Sequence, residues 1–211
     1  AGHEIACHGM THVDMTSSDE ATFREDLRRA KALLEDLCEE PVIGYRAPNL
    51  VVAPYLADVL EDMDFRYDSS VCPSRAVKGK YESMAQSPQW PYRVGETVQT
   101  CGSRPLWEIP IPTMPWVKLP ACTGVATRVF TSWWTRFALW WWGRGGSVLY
   151  YFHPYEVWGD AIPDMGRMYV RLFMMNRGKQ MRRRAMGIVD RYCGRIVPAR
   201  TLLRSAVSSS A

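Results

Sequence analysis

Short apolar runs alternate with stretches of helical periodicity along this 211-residue chain, and that alternation confines its fold more than any other feature. The run Glu4 to Cys7 is followed by Phe23, Leu27, Ala30, Leu34 and Leu37, which recur every three or four residues and so share one face of a helix reaching Cys38. Thr22-Phe23-Arg24-Glu25 has the form of a capping box near its start. Next come a strand at Val42 to Tyr45, a helix opened by Pro54 with Leu56, Val59, Leu60 and Met63 on one face, and a short strand at Phe65 to Tyr67. Elements in this order pack as parallel strands with right-handed helical crossovers. An α/β fold is expected, an incomplete (β/α) barrel. At 47% hydrophobic the chain can bury one substantial core, so residues 1–211 read as a single domain. Residues 73–105 mix Ser, Gly, Gln and Pro with aromatics and read as an irregular excursion over the barrel mouth.

The ends of three expected strands carry the chemistry. His8-Gly9-Met10-Thr11-His12 follows Ile5-Ala6-Cys7, and two imidazoles four residues apart can converge on one divalent ion. A catalytic zinc usually has three protein ligands, so a third must come from elsewhere, and no Glu follows His8 as a metalloprotease helix requires. Arg46-Ala47-Pro48-Asn49 closes the Val42 to Tyr45 run. His153 closes the aromatic run Ser147 to Phe152, and Pro154 stops any ladder there. Loops at the carboxyl ends of parallel strands assemble active sites, so His8, His12, Arg46 and His153 are expected to line one concave mouth. Taken singly, His153 also suits a core histidine and Arg46 an ion-pair partner.

In order and spacing, Gly2 to His12, Gly44 to Asn49 and Tyr151 to Glu156 resemble the zinc-binding, Arg-x-Pro and late-histidine motifs of polysaccharide deacetylases with NodB homology, carbohydrate esterase family four. Phe65 to Ser70 and Leu106 to Pro110 resemble segments of the branch tied to bacterial exopolysaccharide synthesis, and the likeness runs from about residue 2 to 202. The resemblance implies a metal-dependent hydrolase that removes N-acetyl groups from a polysaccharide or amino sugar in envelope or exopolysaccharide metabolism. It implies His8 and His12 as ligands of a divalent metal, zinc first, and His153 as the acid that protonates the departing amine. Arg46 would orient a catalytic aspartate, and the backbone N–H of Asn49 would share the oxyanion. Asn49 stands where many members carry Tyr, which keeps the N–H and changes the packing against substrate. Asp68 joins the site as a group that orients a ring or lines the groove, with a local cap in the Tyr-Asp-Ser-Ser turn as its plainer reading. Glu108 and Glu156 rank below it. The paired aspartates of the family's opening strand, which supply the base and the third ligand, have no counterpart here, so the chain reads as amino-terminally truncated and inactive by itself. Two alternatives stand beside this reading: an allantoinase-like hydrolase of cyclic amides, and a non-catalytic carbohydrate-binding or membrane-peripheral scaffold.

The net charge of +4 gathers between Arg167 and Arg204, with Arg182-Arg183-Arg184 in a row. The same stretch carries a hydrophobic stripe, so a solvated helix face is the preferred reading and no nucleic-acid partner is expected. Six cysteines show no CxxC pair, which points to reduced core thiols. Val129 to Trp142 holds five of the nine tryptophans. It is shorter than the ~20 apolar residues of a membrane span, and Arg136 interrupts it. Packing of its indoles on the sheet is preferred, and peripheral membrane contact is the second reading.

Overall fold

The computed structural model describes residues 2–12, 15, 18–74, 84–158 and 175–208. Helix α1 (Glu20–Cys38) leads to strand β1 (Gly44–Tyr45), helix α2 (Leu56–Asp62) and strand β2 (Tyr67–Asp68); β3 (Tyr92–Arg93) and β4 (Trp107–Glu108) follow. The carboxyl-terminal part is helical: α3 (Gly124–Phe130), α4 (Ser132–Gly143), α5 (Pro154–Val157), α6 (Lys179–Tyr192) and α7 (Ala199–Ser208). The sheet has the order β1-β2-β4-β3. β1, β2 and β4 are parallel, with Gly44 opposite Tyr67 and Asp68 opposite Glu108, while β3 runs antiparallel at the edge. The described part of the 73–105 stretch is therefore partly sheet, and residues 75–83 lie outside the described residues.

Two expected strands are reduced to single parallel bridges, Cys7 with Tyr45 and Thr123 with Tyr151. In the second case the groups a longer ladder would use are engaged elsewhere, the Cys122 N–H by the Pro112 carbonyl at 3.3 Å and the Pro120 carbonyl by the Trp134 indole at 3.0 Å. Helix α1 starts earlier than the Thr22 motif suggests. Asp19 is its N-cap, accepting from the Thr22 N–H at 2.8 Å, and Glu39 at φ 54° closes it with an N–H to the Glu35 carbonyl. The single helix expected across Val129 to Trp142 is two, because Thr131 takes φ 82° between α3 and α4.

Phe23, Leu27 and Ala30 of α1 pack with Leu56, Val59 and Leu60 of α2 over Val42, Tyr45, Phe65 and Leu106 of the sheet. Met114, Ala121 and Cys122 meet Ala138 and Leu139 of α4 and Ile188 of α6 in a second cluster. All six cysteines are free thiols. Burial pushes the Cys72 thiol up to about 12, so it stays protonated in the core.

Leu60 and Leu37 both belong to the apolar stripes read from sequence, yet Leu60 is fully buried and Leu37 is 70% exposed. Leu60→Ala is expected to cost ~2–5 kcal/mol in urea unfolding, and Leu37→Ala less than about 0.5 kcal/mol. Equal effects would show that the α1–α2 packing is misplaced.

Candidate active site

The His8 segment is fixed beside β1 by two backbone bonds, Cys7 N–H to the Gly44 carbonyl at 2.8 Å and Arg46 N–H to the Cys7 carbonyl at 3.0 Å. His8 Nδ1 then lies 2.7 Å from the Arg46 carbonyl oxygen. A carbonyl only accepts, so Nδ1 carries the proton and Nε2 keeps its lone pair, the tautomer a metal-ligating histidine needs. Gly9 and His12 both take positive φ, which turns the loop back until the two imidazole centroids are 5.0 Å apart. Asp26 on α1 clamps that loop by accepting from the Met10 N–H at 2.8 Å and the Thr11 hydroxyl at 2.7 Å. No local motif marks Asp26 in the sequence. Burial lowers the His8 pKa, the charges of His12, Arg46 and His153 add to that, and only the Arg46 carbonyl opposes them. The ring is thereby favoured in its neutral form.

Arg46 reaches across to the next strand. Its Nε donates to the Ser69 carbonyl at 2.8 Å and its Nη2 to the Ser69 hydroxyl at 2.6 Å. Its guanidinium lies over the Tyr151 ring at 4.9 Å, and Tyr151 meets His153 edge-on at 5.5 Å. His8, Arg46, Tyr151 and His153 thus form one contiguous series, and His12 flanks His8. Asn49 sits exposed in the 3-10 turn Pro48–Leu50 with φ 56°. Two imidazoles are suited to a divalent ion, but among the described residues no group of three His, Cys, Asp or Glu is placed to hold one, so the donor set is incomplete there.

Glu156, which ranked low in the sequence, is fully buried and fixes His153. Its Oε2 accepts from the His153 backbone N–H at 2.7 Å and stands 3.3 Å from the ring Nδ1, while Oε1 accepts from Arg128 Nε at 2.8 Å. Burial works against the carboxylate, but the bonds from His153 and Arg128 outweigh it and its pKa is lowered. The signal was legible: His153-Pro154-Tyr155-Glu156 has a carboxylate at the third helical position after Pro, the capping-box spacing. Gly124 makes room for this group, since a Cβ there would lie 2.1 Å from Glu156 Oε2.

Asp68 does not line an open groove. It is fully buried opposite Glu108, and Asp68 Oδ2 and Glu108 Oε2 are both buried without another partner among the described residues, which leaves them a proton to share. Asp68 Oδ1 accepts from the Ser69 N–H at 2.8 Å and the Ser70 hydroxyl at 2.6 Å, and Glu108 Oε1 accepts from the Val71 N–H at 3.0 Å. Burial raises both pKa values. The neighbouring Asp68 carboxylate raises Glu108 further, so Glu108 holds the shared proton and donates it to Asp68. The pair supports the site from below, because the Ser70 hydroxyl that Asp68 fixes accepts from the Ala47 N–H at 2.8 Å, next to Arg46.

Residues 1–67 match the family model for polysaccharide deacetylase. Solved structures resemble the fold over nearly its whole length. A Mycobacterium smegmatis protein provisionally named a polysaccharide deacetylase shares 18% identity at a TM-score of 0.64, covering 99% of this chain and 64% of its own. Puue allantoinase follows at 14% identity and a TM-score of 0.60, covering 96% of this chain and 58% of its own. A Pseudomonas aeruginosa PAO1 protein provisionally named a polysaccharide deacetylase shares 14% identity at 0.57, covering 96% and 59%. The chain therefore spans less than two thirds of each of these structures. No curated protein matches it.

Gly124→Ala is expected to push Glu156 off Arg128 and His153. Breaking such a buried pair costs about 3–5 kcal/mol, read as a lower denaturation midpoint together with a shifted His153 ring resonance. A variant as stable as the parent would show that Glu156 moves without penalty. Glu108→Gln tests the shared proton. Glu108 keeps its proton in the fold at pH values where it loses it in the unfolded chain. The stability it contributes is therefore full below about pH 4.3 and is lost as pH rises toward its elevated folded value. Glutamine suffers no such loss, so the variant should match the parent near pH 4 and exceed it in urea midpoint at pH 7. The opposite trend would mean that Glu108 is ionised in the fold.

Proposed function

We propose that this chain is part of a carbohydrate deacetylase, a metal-dependent hydrolase that removes N-acetyl groups from a polysaccharide or amino sugar in envelope or exopolysaccharide metabolism. The arrangement proposed for the sheet is an incomplete (β/α) barrel with the site at its mouth. The observation that carries this reading is the convergence of His8, His12, Arg46 and His153, three separate sequence motifs, on one series of contacts. The match of residues 1–67 to the deacetylase family supports it independently.

Amide hydrolysis needs an activated water, a polarised carbonyl, a place for the oxyanion and a proton for the departing amine. His8, through the ring nitrogen that the Arg46 carbonyl does not engage, and His12 would hold the metal, with the remaining ligand and the catalytic base supplied from outside the described residues. A divalent ion, zinc first among the candidates, supplies Lewis acidity toward the acetyl carbonyl and a more acidic water. His153 delivers the proton to the leaving nitrogen. The Glu156 carboxylate fixes the ring, and the bond from Arg128 helps keep that carboxylate charged. Arg46 orients the base through a half-buried guanidinium that, among the described residues, pairs with no carboxylate directly and is held by Ser69 and Tyr151. The Asn49 backbone N–H contributes to the oxyanion site. Asp68 acts beneath this set rather than within it, as the buried partner of Glu108.

The test uses the whole protein of which this chain is part, N-acetylated oligosaccharides as substrate, and acetate release as the readout. Chelation should abolish release and zinc restore it. His12→Ala should weaken zinc binding in calorimetry, and His153→Ala should lower kcat by ~10²–10⁴-fold with little change in KM. Allantoin hydrolysis without acetate release would move the assignment to the cyclic-amide hydrolases, and full activity in His153→Ala would remove that residue from the chemistry.

A further inference from the structure

Helix α4 is apolar on the side it turns to solvent. Thr135, Ala138 and Leu139 are buried on its inner side, while Trp133, Phe137, Trp140 and Trp141 follow helical spacing along the outer one. Trp133 is 66% exposed and Trp140 50%; Trp116, 72% exposed, comes in from the preceding turn to within 4.5 Å of Trp141. Trp133 stacks on Phe137 at 5.7 Å and Phe137 on Trp141 at 6.2 Å, so the surface is pre-assembled. A continuous exposed apolar patch of this kind marks an interaction site.

The chemistry around the patch selects its occupant. Between Glu108 and Glu156 the chain has no Asp, Glu, Asn or Gln. Neither α4 nor the turn that carries Trp116 therefore contributes a carboxylate or carboxamide to grip sugar hydroxyls or to pair with a basic protein. Its cations are Arg136, which is exposed, and Arg144, whose guanidinium lies 4.4 Å over both Trp140 and Trp141. Lys118 and Arg128 are turned inward, to the Ala85 carbonyl and to Glu156. The adjoining recess of about 250 Å³, between Trp90, Met114, Trp116 and Trp142, includes Gln89, whose amide is already engaged by Thr113. Exposed indoles, guanidinium groups at their edge and no opposing carboxylate suit the boundary of an anionic bilayer. Among the described residues no helix is long and apolar enough to cross a membrane, so the contact is peripheral.

We propose that the outer face of α4, together with Trp116, docks this protein onto an anionic lipid surface. The assignment is independent of the deacetylase reading. The test is co-sedimentation of the chain with vesicles of phosphatidylcholine and of an equal mixture of phosphatidylcholine and phosphatidylglycerol, with tryptophan emission recorded alongside. The chain should bind the mixed vesicles with a blue shift and bind pure phosphatidylcholine about tenfold more weakly or worse. Trp133→Ser with Trp140→Ser, and separately Arg136→Glu with Arg144→Glu, should each lose about tenfold or more with unchanged circular dichroism, all four side chains being outward-facing. Absent binding by the parent chain, or binding that survives the tryptophan substitutions, overturns the proposal. Two further results overturn it: tryptophan-dependent self-association without vesicle binding, which assigns the face to a second copy, and tryptophan-dependent retention on immobilised polysaccharide without vesicle binding, which assigns it to sugar.

Discussion

Asp68 and Glu108 stand opposite each other on neighbouring parallel strands, both fully buried, and the site above them depends on how that conflict is resolved. Two ionised carboxylates at hydrogen-bond distance inside a protein repel strongly and each loses its hydration, so one must keep its proton. Asp68 already accepts from the Ser69 N–H and the Ser70 hydroxyl, which favours charge on Asp68 and leaves the proton on Glu108. The resulting bond ties β2 to β4. Through Ser70 it also fixes the Ala47 N–H, and the loop so fixed presents the Arg46 carbonyl to His8. A metal-ligand candidate on the first segment of the chain is thus aimed by an acid pair in the middle of the sheet.

The second half of the site rests on a separate clamp. Arg128 of α3 and Glu156 of α5 form a buried ion pair whose desolvation is offset only because nearly every polar atom is used: Glu156 also holds the His153 backbone, and Arg128 also reaches the Met175 carbonyl. Gly124 admits the carboxylate to this position. Among the described residues the two clamps share no residue, and they meet through aromatic contact, Arg46 over Tyr151 and Tyr151 against His153, beside the apolar group of Leu50, Cys72, Ile111 and Leu149. A series of that kind keeps its order yet allows small relative shifts, because an aromatic contact tolerates sliding better than a bidentate hydrogen bond does.

The sequence carried the positions of α1, α2, β1 and β2, whose periodicities are long or bounded by proline, and it carried the His8, His12, Arg46 and His153 set through motif order. It did not carry the register that buries Asp68 against Glu108. That contact joins residues far apart in the chain, and nothing within Tyr67-Asp68-Ser69-Ser70 distinguishes a buried acid from a turn cap. Glu156 was undervalued although its capping-box spacing was readable, since spacing alone does not reveal that Arg128, on another helix, completes the pair. Asp26 carries no signal for the same reason: its partners, Met10 and Thr11, lie in the loop 16 and 15 residues before it. The α1 start differs because Asp19 and Thr22 both satisfy cap chemistry, and in the fold the Asp19 carboxylate rather than the Thr22 hydroxyl takes the cap.

The tryptophans of α4 divide by where their N–H groups go, and this separates packing from display. Trp134 donates inward to the Pro120 carbonyl at 3.0 Å and Trp142 to the Thr113 carbonyl at 2.7 Å, so these two indoles are satisfied parts of the core wall. On the inner side Thr135 bonds the Ala121 carbonyl at 2.8 Å and approaches the Thr127 hydroxyl at the same distance. The helix thus places hydroxyls against protein and aromatic rings against solvent, the reverse of a water-facing helix. Core packing explains Trp134 and Trp142 but gives no reason for Trp133, Trp140 and Trp116 to stand outward, and an amphipathic ring is stable in such a position where one edge meets a polar boundary and its body meets apolar material.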